Sequence, residues 1–237
     1  MHWFGCLLWG CCWSKYMIWE ITTPVVQVPI EPQTVPITIT GRNEMLVLIL
    51  ATADGRDNAY NASFNGVSMS QWGYAIRYDA GDGEYCSIHG LYFNTSNMIP
   101  GTYNMVKEVT TGGPDNAVET WFLIRGLNPF NPIDHTHSAS NRNGTITTTV
   151  NANQDNELIL NAFYSRKDGS HAFTPVTSGL TELTYSNAHN NQFAVHYKEV
   201  DIGSHAITFS QSTDRWAQIT MSIKQGHDMG SFLLNFV

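Results

Sequence analysis

The sequence predicts an all-β protein: an antiparallel β-sandwich of jelly-roll type, built from two related halves and preceded by an extended N-terminal arm. Its body alternates apolar and polar residues with a period of two, in short runs bounded by turn residues, as half-buried strands do. It contains no helical stripe of useful length. One phrase occurs twice, as Asn43-Glu44-Met45-Leu46 and as Asn156-Glu157-Leu158-Ile159. The copies lie on the order of a hundred residues apart, much further than the units of a solenoid, which indicates two halves of one domain.

The predicted arm comprises residues 1–36. Its leader, 1–21, is rich in large apolar side chains, including Trp3, Trp9, Trp13 and Trp19. The leader has no basic n-region and no small-residue cleavage site, and its tryptophans suit an interface or a protein groove, so an assembly arm, a membrane contact and a signal segment all stay open. Residues 22–36 contain four prolines and predict an extended tether. We expect the arm to bury its tryptophans against neighbouring copies and not against its own sandwich.

The predicted sandwich comprises residues 37–237, with halves at about 37–127 and 144–225 and a C-terminal extension at 226–237. In the first half the pattern predicts strands near 34–40, 44–53, 62–66, 72–79, 86–94, 102–109 and 117–126. In the second half it predicts strands near 144–151, 156–166, 180–185, 192–200, 204–211 and 215–224. Two packed antiparallel sheets bury so many half-apolar strands. We therefore expect 37–125 to superpose on 145–224, with four leucines at equivalent buried positions: Leu46, Leu48, Leu158 and Leu160.

Composition excludes several classes of protein. Charged residues make up 14% of the 237, below the roughly 25% of typical soluble domains. A net charge of −8 with only 12 basic residues argues against a nucleic-acid partner, because phosphate binding depends on Lys and Arg. The four cysteines, Cys6, Cys11, Cys12 and Cys86, fit neither a disulfide framework nor a zinc motif. We expect no cofactor.

A resemblance to a known group begins at the crossing between the halves. The succession comprises Asn131-Pro132-Ile133-Asp134, a Ser/Thr-rich strand, Asp155-Asn156-Glu157-Leu158, a tyrosine strand with Lys198-Glu199, and Asp214-Arg215-Trp216-Ala217. It resembles β-sandwich virion proteins of tailed phages and their environmental relatives, over about 117–225 and more weakly over 37–110. The resemblance implies a non-enzymatic structural protein, a capsid decoration or a tail or fibre component, located in the virion. Its implied partners are other copies of itself and other virion proteins.

Two clusters could hold a metal ion. Asp134, His135 and His137 are close in sequence, but no third or fourth ligand is fixed by spacing, so a solvated loop is the alternative interpretation. Asp79, Asp82 and Glu84 surround two glycines, which could hold calcium or simply form a turn. We predict no metal site. The nucleophile pattern Gly-x-Ser-x-Gly is also absent, and we predict that the protein is not an enzyme.

Aromatic residues suggest the alternative function. Trp72 and Tyr74 follow a glycine turn, and such a pair can stack on sugar rings, although it can equally form a core-facing ladder. The alternative is therefore a secreted or surface carbohydrate-binding or adhesin module that contacts host-surface glycans. A glycan hydrolase ranks third, because no paired-carboxylate motif is present. His196 falls within a predicted strand, where a structural role is the default.

Overall fold

The structure is a computed structural model that describes residues 18–27, 33–41, 43–53, 60–79, 84–109, 117–166, 174–188 and 191–226. The regular structure of these ranges is strand throughout, which confirms the predicted all-β fold. The strands are β1 (Glu20–Ile21), β2 (Val25–Gln27), β3 (Gln33–Ile39), β4 (Glu44–Thr52), β5 (Tyr60–Phe64), β6 (Val67–Ser68), β7 (Ser70–Asp79), β8 (Glu84–Asn94), β9 (Gly101–Val109), β10 (Ala117–Arg125), β11 (Ile133–Ala152), β12 (Glu157–Arg166), β13 (Thr174–Pro175), β14 (Thr181–Ala188), β15 (Asn191–Val200) and β16 (Gly203–Ile223).

The first half folds as a jelly roll. One sheet has the order β10-β4-β8-β7, and both β1 and β2 pair with the outer edge of β10. The other sheet has the order β3-β9-β5-β6. If β1 and β2 count as one interrupted first strand and β6 and β7 as one strand that changes sheets, this is the eight-strand order of a jelly roll.

The second half repeats this order with longer strands. The first part of β11 and the last part of β16 belong to the sheet with β12, β15 and β14, while their other parts pair with each other beside β13. β11 crosses between sheets at a register shift between Arg142 and Gly144. Among the described strands, the pairings of the first half therefore have counterparts in the second, except for the pairing of β5 with β6, as the repeated phrase predicted.

The two jelly rolls stack face to face. One apolar core lies inside the first, a second inside the second, and a third, here called the shared core, lies between the sheets that contain β4 and β12. Both strands are therefore buried on both faces, which explains their continuous apolar runs. Gly73 marks the close approach, since a Cβ there would stand 2.9 Å from Cβ of Ile219 in the other half.

The four leucines are buried, but they are not equivalent. Leu46 and Leu48 point into the first jelly roll, whereas Leu158 and Leu160 point into the shared core. Because alternate residues of a strand face opposite ways, the residue that matches Leu160 is Val47, which also lies in the shared core. The expected equivalence was wrong by one position.

The described part of the predicted arm and tether is built into the first jelly roll. Residues 20–21 and 25–27 are strands of the first jelly roll, and β3 begins at Gln33, before the expected domain boundary at 36/37. Trp19 packs on the shared core of its own chain. The physical reason is that the edge of β10 needs a partner strand, and this segment supplies it. Residues 1–17, 28–32 and most of the C-terminal extension, 227–237, lie outside the described residues.

Candidate functional site

The repeated Asn-Glu phrase forms a tight corner in each jelly roll. Asn43 and Asn156 have positive φ, 52° and 61°, a conformation that asparagine tolerates better than most residues. Each lies directly before a strand that is buried on both faces. The phrase is repeated because each half makes the same turn before its central strand.

The first corner contains a three-residue charged cluster. Arg125 Nε lies 2.5 Å from Oε2 of the buried Glu44, and its Nη1 lies 2.7 Å from Oε1 of Glu20. The Glu44 carboxylate also accepts the backbone N–H and the hydroxyl of Thr40, at 3.2 and 3.0 Å. One guanidinium therefore bonds two carboxylates, which is the geometry that its planar fork favours.

The second corner contains a matching cluster, with lysine in place of arginine. Lys224 follows Ile223 as Arg125 follows Ile124, and both isoleucines pair with the residue after the corner glutamate. Lys224 Nζ lies 2.8 Å from Oδ1 of Asp134. Asp134 lies at the start of β11, as Glu20 lies at the start of the first jelly roll. Both halves thus have two acids and one base at matching places, but Lys224 forms its ion pair with Asp134.

Glu157 and Asp134 share one donor. The backbone N–H of Asn153 donates to Oδ2 of Asp134, at 3.0 Å, and to Oε1 of Glu157, at 2.9 Å. Burial and then the charge of Asp134 raise the pKa of Glu157 to about 7, against hydrogen bonds from the backbone of Asn153 and Gln154. The pKa of Asp134 is lowered: burial opposes this, but Lys224 and Asn153 outweigh it. Two adjacent carboxyls whose pKa values are separated in this way take up one proton as the pH falls through about 7.

A buried lysine lies in the first jelly roll. Lys107 forms an ion pair with Glu119, both almost fully buried, and donates to side-chain oxygens of Gln27, at 3.2 Å, and Gln33, at 3.4 Å. Its ammonium also lies 4.6 Å from the ring centroid of Trp121. Burial, the largest effect, raises the pKa of Glu119 against the attraction of Lys107. The ammonium thus joins the end of β2 to the start of β3.

Two pockets lie beside the corners, one lined in part by Arg125 and the other by Asn156. The first, of about 280 Å³, opens between β1–β2 and β3 over an apolar floor that includes Leu46, Trp121 and Leu123. The second, of about 300 Å³, is polar and lies where β15 ends and β16 begins. Its lining residues are Asn156, Lys198, Glu199, Val200, Asp201 and His205.

The proposed sugar-stacking pair is not on the surface. Trp72 is 4% exposed and lies in the shared core. Tyr74 is half-buried beside His89, with ring centroids 4.4 Å apart. The core-facing interpretation is therefore correct for Trp72, and a sugar platform at Trp72 is excluded by its burial.

The histidines near Asp134 do not converge with it. Asp134 bonds Lys224, while Nδ1 of His137 accepts the backbone N–H of Thr149 at 2.8 Å. Asp134 lies at a register shift of β11 between Ile133 and His135, and the backbone N–H of His135 donates to the hydroxyl of Ser222 at 3.1 Å. Among the described residues no three His, Cys, Asp or Glu side chains are grouped to hold a metal ion.

The second expected metal cluster falls partly outside the described residues. Asp79 and Glu84 pair in register where β7 and β8 meet, and Asp82 lies outside the described ranges. His196, in contrast, is buried against Phe209, with ring centroids 5.2 Å apart, and burial lowers its pKa to about 4. It is a neutral histidine packed inside the second jelly roll.

The sequence prediction missed both charged clusters and the buried lysine. A partial signal for the clusters was present, because an isoleucine followed by a base closes a strand in each half, as Ile124-Arg125 and Ile223-Lys224. The two dipeptides lie at different distances from their Asn-Glu phrases, so their equivalence appears only in the strand pairing. No comparable signal marks Lys107, since a lone lysine in a strand usually faces solvent.

Comparison with protein-family models, with curated proteins and with solved structures gave no match. In the part of the chain that the structure describes, no helix is long and apolar enough to cross a membrane.

Proposed function

We propose that the protein is a non-enzymatic structural component of a phage-like virion, either a capsid decoration or a tail or fibre component. The observation that carries this proposal is the fusion of two jelly rolls into one block through the shared core. Jelly rolls recur in viral capsid proteins, where they serve as rigid building units. Because fold alone does not define function, the sequence resemblance of residues 117–225 to phage virion proteins is the second support.

The partners in this proposal are further copies of the chain and other virion proteins. The contact we propose is made by residues 1–17, which join the described block at Ile18, a residue that is 90% exposed. From Trp3 onward this segment carries eight large apolar side chains: Trp3, Phe4, Leu7, Leu8, Trp9, Trp13, Tyr16 and Met17. Burying each gains about 1.5–3 kcal/mol, so a partner surface stabilises them far better than water does.

The test compares the full chain with a variant that lacks residues 1–17. Light scattering coupled to size-exclusion chromatography and negative-stain electron microscopy measure assembly, and an antibody against the recombinant protein locates it in particle fractions. We expect the full chain to form defined oligomers and to be found on particles, while the shortened chain stays a folded monomer. A full chain that stays monomeric and is absent from particles would overturn the proposal.

The alternative is a carbohydrate-binding or adhesin module, since jelly rolls also form lectin domains. Its support is now the polar pocket at the end of β15, which brings Lys198, Asp201 and His205 together. A glycan array with the wild type and an Asp201→Ala variant tests it. Binding that is lost in the variant would favour this alternative, and no binding by the wild type would remove it.

A further inference from the structure

The two charged clusters can be compared directly, because they differ in the identity of the base, arginine or lysine, and in how exposed one of the acids is. In the first corner Glu20 is 62% exposed, so water screens its charge, and Arg125 bonds both acids. In the second corner the side chain of Asp134 is only 5% exposed, and Lys224 bonds it with a single ammonium. The second corner therefore holds two buried acids beside one compact cation.

Glu157 lacks the contact that its counterpart has. The Oε2 atom of Glu44 accepts from Arg125, whereas Oε2 of Glu157 is buried and has no hydrogen-bond partner among the described residues. Oε1 of Glu157 is already bonded to the backbone of Asn153 and Gln154. A buried carboxylate oxygen with no donor is costly. A proton on that oxygen removes the cost, because the protonated carboxyl can donate a hydrogen bond to the neighbouring Asp134 carboxylate.

We propose that the second corner is a proton-operated latch, in which a proton shared by Glu157 and Asp134 holds the turn 153–156 closed. Loss of the proton leaves two adjacent carboxylates, and the ion pair of Lys224 is with Asp134. The two adjacent negative charges repel each other, and the turn whose backbone N–H both acids bind is released. The latch depends on the corner alone and not on the proposed role in a virion.

The turn connects the two jelly rolls, so its release reaches beyond the corner. The backbone oxygen of Asn156 accepts the indole N–H of Trp19, from the first jelly roll, at 3.0 Å. Gln154 Nε2 donates to the backbone oxygen of Gln225 at 3.1 Å, and Gln225 pairs with Leu127 of the first jelly roll. Opening the turn weakens both links.

Other charged groups lie on the described elements around Glu157. On its own turn, Asp155 accepts the backbone N–H of Ile202 at 3.1 Å. On β15, the strand paired with β12, Glu199 is exposed and lies opposite Leu158. From β11 comes Asp134, and Lys224 follows the end of β16.

The direction of the pH effect follows from the pKa of Glu157, which rises from an ordinary value of 4.5 to about 7. The folded state binds the proton more tightly than the unfolded chain does. The stabilisation is therefore complete below about 4.5 and is lost as the pH rises through about 7.

The experiment follows the latch directly in the full chain. NMR of ¹³C-labelled glutamate carboxyls, with the Glu157 signal assigned by its loss in Glu157→Gln, gives the protonation midpoint, and the Trp19 indole N–H signal reports the link. We expect Glu157 to titrate near pH 7 and the indole signal to shift or broaden with the same midpoint. Glu157→Gln, which stays neutral, should make the indole signal independent of pH over this range.

Lys224→Arg is the matched variant, because it gives the second corner the base of the first. A cation that reaches the second acid lowers a carboxyl pKa by about 1–3 units, so the midpoint should fall by that amount. If Glu157 titrates near its ordinary value, or if the Trp19 signal ignores its protonation, the latch does not exist. Should Glu157→Gln fail to fold, selective labelling and the Lys224→Arg shift identify the signal and decide the question.

Discussion

The indole ring of Trp72 lies directly on Gly90, so that a Cβ on residue 90 would stand 2.2 Å from the indole Cε2. The two residues belong to neighbouring strands, β7 and β8, next to a register shift between Gln71 and Gly73. Glycine is required at position 90 because the ring occupies the space of a side chain. The contact fixes Trp72 within the shared core and so helps to join the jelly rolls.

Gly90→Ala should therefore destabilise the protein by about 1–3 kcal/mol or more, because overpacking forces the indole out of its place. The matched control is Gly101→Ala, where a Cβ would meet only the Tyr103 ring at an ordinary 3.5 Å. Denaturant unfolding measures both free energies. Equal stability of the two variants would contradict the tight contact.

Lys107→Met should cost about 3–5 kcal/mol, because it leaves the carboxylate of Glu119 buried without its cation. Protonation of Glu119 limits the loss at low pH, since its pKa is already raised by burial. The double variant Lys107→Met/Glu119→Gln should recover much of the stability, and a double-mutant cycle of unfolding free energies measures the coupling. Additive effects of the two changes would show that the pair is not coupled.

Acid should destabilise the second jelly roll through His196. Its pKa falls from 6.5 to about 4 on folding, so the fold favours the neutral ring. The stabilisation is present above about pH 6.5 and is lost as the pH falls toward 4. His196→Phe keeps an aromatic contact with Phe209 and should remove this loss, as thermal unfolding between pH 4 and 8 will show.

The effect of Glu157 runs the opposite way over an overlapping range, so it partly cancels the His196 effect in the wild type. The informative quantity is the difference between wild type and His196→Phe at each pH, which should be flat above about pH 7. A difference that does not grow on acidification would contradict the assignment to His196.

Two truncations should distinguish the contribution of residues 1–17 to stability from that of β1 and β2. Removing residues 1–17 should leave the described block folded. Removing residues 1–27 also deletes Trp19 and Ile21, whose partial burial gains a fraction of the ~1.5–3 kcal/mol that full burial gives each side chain, and it exposes the edge of β10. Melting temperature and solubility of the two shortened chains test this, and equal melting temperatures would show that β1 and β2 add no stability.

Much of the fold could be predicted because local pattern and burial agree. The alternation along β9 corresponds to a strand with one buried face, and the continuous apolar run of β4 to a strand buried on both faces. The two Asn-Glu phrases correspond to two corners at equivalent places in the halves. The candidate sites were harder, because charge pairs form between residues far apart in sequence. Arg125 and Glu20, for example, meet only after β10 has paired with β1.

By itself the sequence determined the strand content, the twofold repeat and the turn chemistry at Asn43 and Asn156, since these depend on neighbouring residues and on the period of a strand. Only the tertiary structure decided which face of each strand meets the other jelly roll. For this reason only the structure shows that Trp72 lies in the shared core and that Trp19 packs against its own chain. It also placed Asp134 beside Lys224 and Glu157. The reason is physical: burial and proximity set these roles, and both arise only when strands distant in the chain are packed together.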